Sequence, residues 1–340
     1  MSKLTQHPVK LARLSYPFMT LRHVAPAGFD EMTLAWVKRF KLVNEAQVVG
    51  FERIICGTAA RFGFFSASPE VVGIAADLIS WLFLFDDAYP EGTYRFDVKG
   101  LETACGRYLT LLENFPNVKA HSHFATALLD LRERMGRHAP ASWLARFTES
   151  LRYYFQGCIR EAHFRQSNTV PSVAEYMDLR RASFGYAPMA DLMELIFGTY
   201  LTDEERHSLQ VIRLRTLGVD ISASVNDLYS YEKENAVGDM CNIVKVVELN
   251  QGLSADDACA QVGRMHDEAL GQLLLMESQL NAIPTSPAVR NLARAIREWS
   301  QGHHDWSIRC RRYDPSLASD FDPKMLPPAQ LIISAGLRAA

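Results

Sequence analysis

Apolar residues return every three or four positions along most of the chain, which is the period of an amphipathic α-helix. This pattern predicts helices over 69–87, 101–114, 142–166, 203–234 and 255–281. Proline and glycine separate these segments, and alternating strand patterns are nearly absent. Because no repeat, low-complexity tract or long polar linker divides the chain, we predict one all-α domain of ten or more helices over residues 1–340.

Composition narrows the class of protein. Of the 340 residues, 48% are hydrophobic and 22% are charged, as in soluble globular proteins. The net charge of −3 is spread along the chain without a basic run, which argues against a nucleic-acid partner. The N-terminus lacks the apolar core of a secretory signal, and no apolar run reaches the roughly 20 residues of a membrane span. The six cysteines show no zinc-site spacing. We therefore expect a cytoplasmic protein that holds anionic ligands by local positive charge or by metal ions.

One candidate metal site lies in "VNDLYSYEKE", residues 225–234, at the end of a long apolar helix. Asn226, Ser230 and Glu234 are spaced four apart, so successive residues turn by only ~40° and rise by ~6 Å. Amide, hydroxyl and carboxylate oxygens are the hard ligands that Mg²⁺ prefers. The outer pair is ~12 Å apart, so Glu234 must reach back and waters must complete the coordination. On spacing alone, a solvated helix end explains the stretch equally well.

A second acidic cluster ends another apolar helix, "AADLISWLFLFDDAYPEG". Adjacent carboxylates at Asp86 and Asp87 repel each other, and the negative C-terminal end of the helix dipole adds to the repulsion. Such a pair is tolerated if it is exposed at a pocket rim or neutralised by a divalent cation. If the two clusters face each other across the mouth of a bundle, they form a polynuclear Mg²⁺ site over an apolar pit.

These motifs resemble those of the microbial, bacterial-type class I terpene synthases, also called terpene cyclases. "NDLYSYEKE" matches the family's N-D-x-x-S-x-x-x-E metal triad, with Lys233 where the family often has lysine. "DDAYPE" departs from the common D-D-x-x-D motif, since its next acid gives D-D-x-x-x-E, a variant of the bacterial branch. The resemblance implies one α-helical bundle around an apolar active-site pit. The metal ligands that it implies are Asp86, Asp87, Glu91, Asn226, Ser230 and Glu234.

The resemblance covers about residues 50–313 and includes a helix break in "EYMDLRRASFGYAPM", residues 175–189. In the family, this break presents a backbone carbonyl to the pocket, and an arginine one turn earlier senses the diphosphate. Arg180 fits the sensor, with Arg181 as the alternative, and Phe184 fits the residue that supplies the carbonyl. The segment 314–340 is left as a tail with four prolines, which we expect to wrap the surface or to be partly disordered.

The last landmark is "HHDWSIRCRRYDP", residues 303–315. It is similar to the family's C-terminal tryptophan followed by Arg-Tyr, here Trp306, Arg312 and Tyr313. Arg312 and Tyr313 are expected to close over the diphosphate and to be loosely placed before it binds. His303 and His304 have no partners at ligand spacing, so we interpret them as polar residues at a helix end.

The resemblance further implies a lyase that uses three Mg²⁺ ions, for which Mn²⁺ can substitute. It ionises and cyclises a linear isoprenyl diphosphate, with Asp86, Arg180, Phe184 and Tyr313 as catalytic residues. The diphosphate is expected to contact Arg180, Asn226, Lys233, Arg312 and Tyr313. The predicted pocket wall consists of Ile79, Leu82, Phe83, Phe155, Val219, Ser222 and Trp306.

Other functions are compatible with parts of the pattern. Isoprenyl chain-elongating synthases carry two D-D-x-x-D motifs, whereas the second Asp-Asp pair here, Asp256–Asp257, opens an amphipathic helix and lacks the third aspartate. The D-x-D-D motif of class II cyclases is absent, and a catalytically inert helical scaffold would use its acids for solvation only. By analogy in size we expect farnesyl diphosphate as the substrate, with C10 and C20 diphosphates as alternatives and a homodimer as the assembly.

Overall fold

The computed structural model describes residues 9–17, 28–167 and 169–313. Within these ranges the fold is all-α, as predicted, and contains no strand. Its helices are α1 Phe29–Arg39, α2 Val48–Glu52, α3 Cys56–Gly63, α4 Pro69–Ala88, α5 Val98–Glu113, α6 His123–Gly136, α7 Ala141–Ser167, α8 Val173–Ser183, α9 Tyr186–Leu192, α10 Glu194–Phe197, α11 Asp203–Arg206, α12 Leu209–Ala236, α13 Ile243–Gln251, α14 Ala255–Ala282 and α15 Pro287–Arg309. The tail 314–340, which we expected to wrap the surface, lies outside the described residues.

Serine side chains begin most of the long helices by capping free backbone N–H groups. Ser208 accepts a hydrogen bond from Val211, and this cap divides the predicted helix 203–234 into the short α11 and the long α12. Ser172 and Glu175 form a reciprocal capping box at the start of α8. The same Ser-cap geometry fixes the start of α4, α14 and α15 at Ser68, Ser254 and Ser286.

Glycines allow α3 and α15 to pack in direct backbone contact. A Cβ atom at Gly302 would lie 2.4 Å from the carbonyl carbon of Phe62, a distance that no side chain tolerates. A Cβ at Gly63 would likewise lie 2.4 Å from the Trp299 ring. The α3–α15 crossing therefore fixes the depth of α15 in the bundle, and with it the side chains that α15 presents to the interior.

The six cysteines are free thiols buried in the helical packing. Burial raises the pKa of Cys105 to about 12, so this thiol stays protonated and behaves as a small apolar side chain. Across the described ranges, every helix is too short or too polar to serve as a membrane-spanning segment.

Candidate active site

A cavity that opens to solvent lies in the bundle, and its empty volume is about 1030 Å³ when the open space at its mouth is included. It is lined by residues of α3, α4, α7, α8, α9, α12 and α15 and of the connections next to them. Ile79, Leu82, Phe83 and Asp86 reach it from α4. Their spacing of three and four residues places them on one helix face, with the carboxylate nearest the C-terminal end. The C-terminal ends of α4, α12 and α15 therefore contribute polar groups to a cavity whose remaining wall is largely apolar.

Asp87 and Arg312 join the end of α4 to the turn that follows α15. Both guanidinium Nη atoms donate to the carboxylate of Asp87, over 2.9 Å and 2.6 Å, in a bidentate ion pair. Asp87 is fully buried and does not line the cavity, whereas Arg312 does. The guanidinium also lies over the Phe83 ring, 4.9 Å from its centroid. Asp87 thus holds Arg312 at the cavity mouth.

Asn226 connects the two segments that the sequence marks for diphosphate binding. Its Oδ1 accepts a hydrogen bond from Arg180 at 2.7 Å, and its Nδ2 donates to the Tyr313 hydroxyl at 2.7 Å. The neighbouring Asp227 is fully buried and accepts two hydrogen bonds from Arg180, one from the Tyr176 hydroxyl and one from the Ile243 N–H. The aspartate of the "ND" pair therefore positions the arginine rather than facing the cavity.

The other two members of the triad lie further along α12. Ser230 is buried and does not line the cavity, and Glu234 does line it. Asn242 donates to both, to Glu234 Oε2 at 2.8 Å and to Ser230 Oγ at 3.4 Å. Asn242, which the sequence analysis did not identify, thus orients two predicted metal ligands at once.

Three half-buried acids at the cavity mouth respond differently to their surroundings. Burial, reinforced by the charges of Glu91, Glu161 and Asp87, raises the pKa of Asp86 well above its ordinary value. Burial, together with Asp227 and Glu91, raises the pKa of Glu234 to about 8. Burial would also raise the pKa of Glu91, but Lys233, Arg312 and Arg165 outweigh it and lower that pKa. Asp86 and Glu234 therefore lie in a field that favours an added positive charge.

The predicted helix break is present between α8 and α9. Gly185 adopts φ +75°, a left-handed conformation that favours glycine, and it lets Phe184 project into the cavity. The Arg180 guanidinium lies 4.9 Å from the centroid of the Phe184 ring. Arg181 instead forms two hydrogen bonds with Asp220 and does not line the cavity. The geometry therefore favours Arg180 over Arg181 as the cavity arginine.

Sequence reasoning missed a charged network on α7. Glu161 and Arg165 both line the cavity, and Arg165 pairs with Glu161 at 3.2 Å and with Asp239 at 3.3 Å. Arg95 bonds to Asp239 at 2.9 Å, which ties the chain after α4 to the chain after α12. The sequence does contain a signal for this network, because Glu161 and Arg165 are charged residues spaced i, i+4 on the apolar side of a long helix.

The apolar wall only partly matches the prediction. Ile79, Leu82, Phe83, Phe184 and Trp306 line the cavity. Phe155, Val219 and Ser222 do not. Phe155 packs behind the wall against Phe85 and Tyr154, Val219 is buried in the core, and the Ser222 hydroxyl bonds to Gly218 and Trp299. Helical period identifies an inward face, but it does not tell the cavity from the core behind it.

Two further expectations differ from the structure. His303 is not at a helix end: it lies within α15, is 4% exposed and lines the cavity, whereas the half-buried His304 stacks on Tyr16. Arg312 and Tyr313 were expected to be loosely placed, but Asp87 and Asn226 hold them in buried hydrogen bonds. Buried polar groups of this kind need partners, and the nearby carboxylate and amide supply them.

Comparison with known proteins identifies the family. The model of "Terpene synthase family 2, C-terminal metal binding" matches residues 77–272, more than half of the chain. The (+)-T-muurolol synthase of Roseiflexus castenholzii is 31% identical over 311 residues, covering 90% of this chain and 94% of its own. The chain belongs to the terpene synthases. The germacrene A synthase of Nostoc punctiforme is 29% identical, with 88% and 93% of the two chains covered.

Solved structures support the fold of this terpene synthase. The linalool/nerolidol synthase of Streptomyces clavuligerus superposes with a TM-score of 0.75 at 22% identity, over 87% of this chain and 99% of that one. An α-eudesmol synthase gives the same TM-score at 19% identity, over 87% and 99% of the two chains. Terpene synthases are lyases that act on isoprenyl diphosphates, so the chain is an enzyme of that class.

The residues at the cavity mouth fit a divalent metal, on which the family description implies that this terpene synthase depends. Within the described ranges, no group of three His, Cys, Asp or Glu side chains could hold an ion alone. The candidate donors are instead two separate sets of oxygens. Asp86 and Glu91 line the cavity on one side and Asn226 and Glu234 on the other, while Ser230 is buried between the last two on α12. Hard oxygen ligands with waters and substrate phosphate oxygens completing the shell suit Mg²⁺.

The two adjacent aspartates of this terpene synthase should respond oppositely to neutralisation. Asp87→Asn removes one partner of a buried ion pair and should lower the free energy of unfolding by about 3 kcal/mol. Asp86→Asn resembles the protonated form that burial favours, so stability should be unchanged or higher while turnover falls at least ~100-fold. Urea unfolding at pH 7 and product formation measure the two effects.

The pH dependence of stability provides the control for the two aspartate variants. The pKa of Asp86 is raised in the folded protein. Its contribution to the free energy of unfolding is therefore fully present below the ordinary aspartate pKa, where Asp86 is neutral, and is lost as the pH rises and the carboxyl group becomes charged. The advantage of Asp86→Asn over the parent should therefore widen above about pH 4. Equal destabilisation by both variants at every pH would contradict the assignment.

Proposed function

We propose that this terpene synthase converts farnesyl diphosphate into a sesquiterpene hydrocarbon or alcohol by Mg²⁺-dependent ionisation and cyclisation, with release of diphosphate. The observation that carries the proposal is the meeting of three motifs over one cavity with an aromatic wall. These are the acidic end of α4, the Asn-Ser-Glu triad of α12, and the Arg-Tyr pair after α15. An ion-dependent reaction of a hydrophobic diphosphate requires this combination of polar mouth and apolar interior.

The metal ligands in this proposal are the oxygens of Asp86, Glu91, Asn226, Ser230 and Glu234. Bound Mg²⁺, three ions by the family resemblance and replaceable by Mn²⁺, supplies Lewis-acid stabilisation of the diphosphate leaving group. The raised pKa values of Asp86 and Glu234 support this assignment, because a bound cation offsets the burial and the repulsion between carboxylates that otherwise favour their protonated forms. Asp87 acts through Arg312, to which it is bonded, and not as a direct ligand.

The diphosphate contacts are proposed for Arg180, Asn226, Lys233, Arg312 and Tyr313, which all line the cavity. Guanidinium groups bind phosphate oxygens in a bidentate manner, and a hydroxyl adds a directed hydrogen bond. Arg180 and Tyr313 already bond to the same amide, that of Asn226, so a diphosphate that binds near Asn226 lies within reach of both. Catalysis is then differential stabilisation of the charge that develops on the leaving group.

The hydrocarbon end of the substrate would lie against Phe83, Phe184, Trp299 and Trp306, which line the cavity. Aromatic ring faces attract cations, so this wall can stabilise carbocation intermediates without supplying a nucleophile. The Trp306 indole N–H bonds to the Ile54 carbonyl at 2.7 Å and that of Trp299 to Ser222 at 3.1 Å. These bonds fix both rings while keeping their polar atoms away from the ligand.

Farnesyl diphosphate is the preferred substrate because of the relatives. The Roseiflexus castenholzii enzyme is described as "(2E,6E)-farnesyl diphosphate cyclizing", as is the 4-epi-cubebol synthase of Streptosporangium roseum. Chain elongation is disfavoured, since the only other Asp-Asp pair, Asp256–Asp257, is exposed in the first turn of α14, where Ser254 caps it. From the resemblance alone, we also propose that the enzyme forms a homodimer.

Incubation with geranyl, farnesyl and geranylgeranyl diphosphate tests the function. With Mg²⁺, farnesyl diphosphate should give the highest kcat/KM and a cyclic C15 product by gas chromatography–mass spectrometry. EDTA should abolish turnover, because the oxygen ligands then hold no cation against the diphosphate charge, and added Mg²⁺ should restore it. Full turnover in EDTA would refute the metal-dependent mechanism, whereas a preference for the C10 or C20 substrate would correct the chain length alone.

Variants of the Arg-Tyr pair test closure over the diphosphate. Tyr313→Phe removes one hydrogen bond, a net effect of ~0.5–1.5 kcal/mol, and should reduce kcat modestly. Arg312→Ala removes a bidentate donor and should cost more. Both should raise the share of acyclic alcohols, because an imperfectly closed cavity admits water to the carbocation.

The neighbouring Arg311 is exposed and provides the matched control for this pair. Arg311→Ala should leave both rate and products at parent values. Arg312→Ala also breaks the buried pair with Asp87, so its rates are compared at a temperature at which it remains folded. If all three variants, each folded, gave the parent product distribution at the parent rate, the closing role of Arg312 and Tyr313 would be excluded.

A further inference from the structure

One polar side chain of the cavity, His303, is surrounded by aromatic rings. It lies on α15 four residues after Trp299 and three before Trp306, so the three side chains share one helix face. Its ring centroid is 5.6 Å from that of Trp299 and 5.5 Å from that of Trp306. Phe184 meets it edge to face at 6.0 Å. All four residues line the cavity.

The imidazole is buried without a hydrogen-bond partner at one ring nitrogen. His303 is 4% exposed, and its Nδ1 has no partner within the described ranges. Burial, assisted by the nearby His304 and His266, lowers the pKa of His303 to about 3. The ring is therefore neutral at pH 7, and one of its nitrogens carries a free lone pair. Native cores rarely contain an unpartnered polar atom. The Nδ1 of His304 is also without a partner in the described ranges, but only His303 lines the cavity.

The position of His303 suits the hydrocarbon part of a bound substrate. Phe184 contacts both Arg180, at 4.9 Å from its ring centroid, and His303. One aromatic ring therefore separates the imidazole from the arginine proposed to contact the diphosphate. A carbocation held by the faces of Phe184, Trp299 and Trp306 would lie beside the imidazole. The imidazole therefore lies beside the volume where the last cation of the reaction is expected.

We propose that His303 is the proton acceptor that ends the carbocation sequence, an inference that rests on the proposed terpene synthesis. A C–H bond next to the cationic carbon breaks, and its electron pair forms the C=C bond of a neutral hydrocarbon. The proton is transferred to the ring nitrogen that carries the lone pair, which gives an imidazolium ion. Because burial disfavours the charged ring, this proton passes to water when the cavity opens and product leaves.

Two substitutions separate basicity from the other properties of the ring. His303→Phe keeps an aromatic ring between Trp299 and Trp306 but has no nitrogen. His303→Gln keeps a neutral hydrogen-bond acceptor that is too weakly basic to take the proton. In both variants the share of the main elimination product should fall at least ~10-fold, in keeping with the contribution of general bases. Diphosphate release should fall less, because ionisation takes place at the other end of the cavity.

The matched control is His304→Phe, which makes the same change one residue further along α15, outside the cavity lining. It keeps the ring that stacks on Tyr16 at 4.6 Å and should keep the parent products. The assay uses the full chain with farnesyl diphosphate and Mg²⁺, and it records volatile products and released diphosphate. If His303→Phe still gave the parent products, the role of His303 would be to pack its ring against its neighbours. If His303→Gln still gave them, its role would be to hold a water molecule by a hydrogen bond. Either result would overturn the proposal.

A rescue experiment covers the case in which neither variant folds. His303→Ala is assayed with added imidazole, or with thiophene, a ring of similar size that is not basic. Imidazole alone should restore the parent product, whereas equal rescue by both rings, or by neither, would overturn the assignment. A parent enzyme that gives only alcohols from farnesyl diphosphate would also overturn it. A parent that releases no diphosphate from this substrate would instead refute the proposed function.

Discussion

The C-terminal ends of α4 and α12 converge on a small volume that holds more carboxylates than the local arginines neutralise. Arg312 pairs with Asp87 and Arg180 with Asp227, and both of these aspartates are fully buried. Asp86 and Glu234 remain with raised pKa values in the same volume. Helix C-termini carry partial negative charge, which increases the imbalance. A site of this kind is completed by divalent cations and by the diphosphate that they bind.

The two arginine pairs also explain how separate segments form one site. Asp87–Arg312 joins α4 to the turn after α15, and Asp227–Arg180 joins α12 to α8. Removing one partner of such a buried pair leaves an uncompensated charge, so these residues support both stability and geometry. The apolar wall depends on a different constraint, the glycine-mediated contact of α3 with α15, which sets the positions of Trp299 and His303. Different interactions therefore fix the polar mouth and α15, and the contacts of Arg312 with Phe83 and of Arg180 with Phe184 connect the mouth to the aromatic wall.

Much of this arrangement was predictable from the sequence. The helical period of the apolar residues predicted both ends of α4, α7 and α14 to within about two residues, because each helix has a continuous apolar face and a clear cap or breaker. The four-residue spacing of side chains that carry oxygen ligands identified Asn226 and Glu234 as candidates, and both line the cavity. Contacts between distant segments were not predictable in this way. Asn242 reaches Glu234 and Ser230 from the turn after α12, and no local pattern marks that pairing.

The misplaced residues share a physical cause. Phe155 and Val219 lie on inward helix faces, and period alone cannot tell whether such a face meets a cavity or a neighbouring helix. His303 was assigned to a helix end because it has no partners at ligand spacing, whereas α15 continues to Arg309. Its ring is buried among Trp299, Trp306 and Phe184, and the contact with Phe184 is a tertiary one that the spacing of residues does not reveal.

The central claim is that the acids at the mouth bind diphosphate only through divalent cations. Thermal unfolding with inorganic pyrophosphate and Mg²⁺, added separately and together, tests it without requiring turnover. The account predicts a rise in Tm with the two together that is much larger than the sum of the separate effects. That rise should disappear with EDTA and in Asn226→Ala. Equal stabilisation by pyrophosphate in Mg²⁺ and in EDTA would contradict the account.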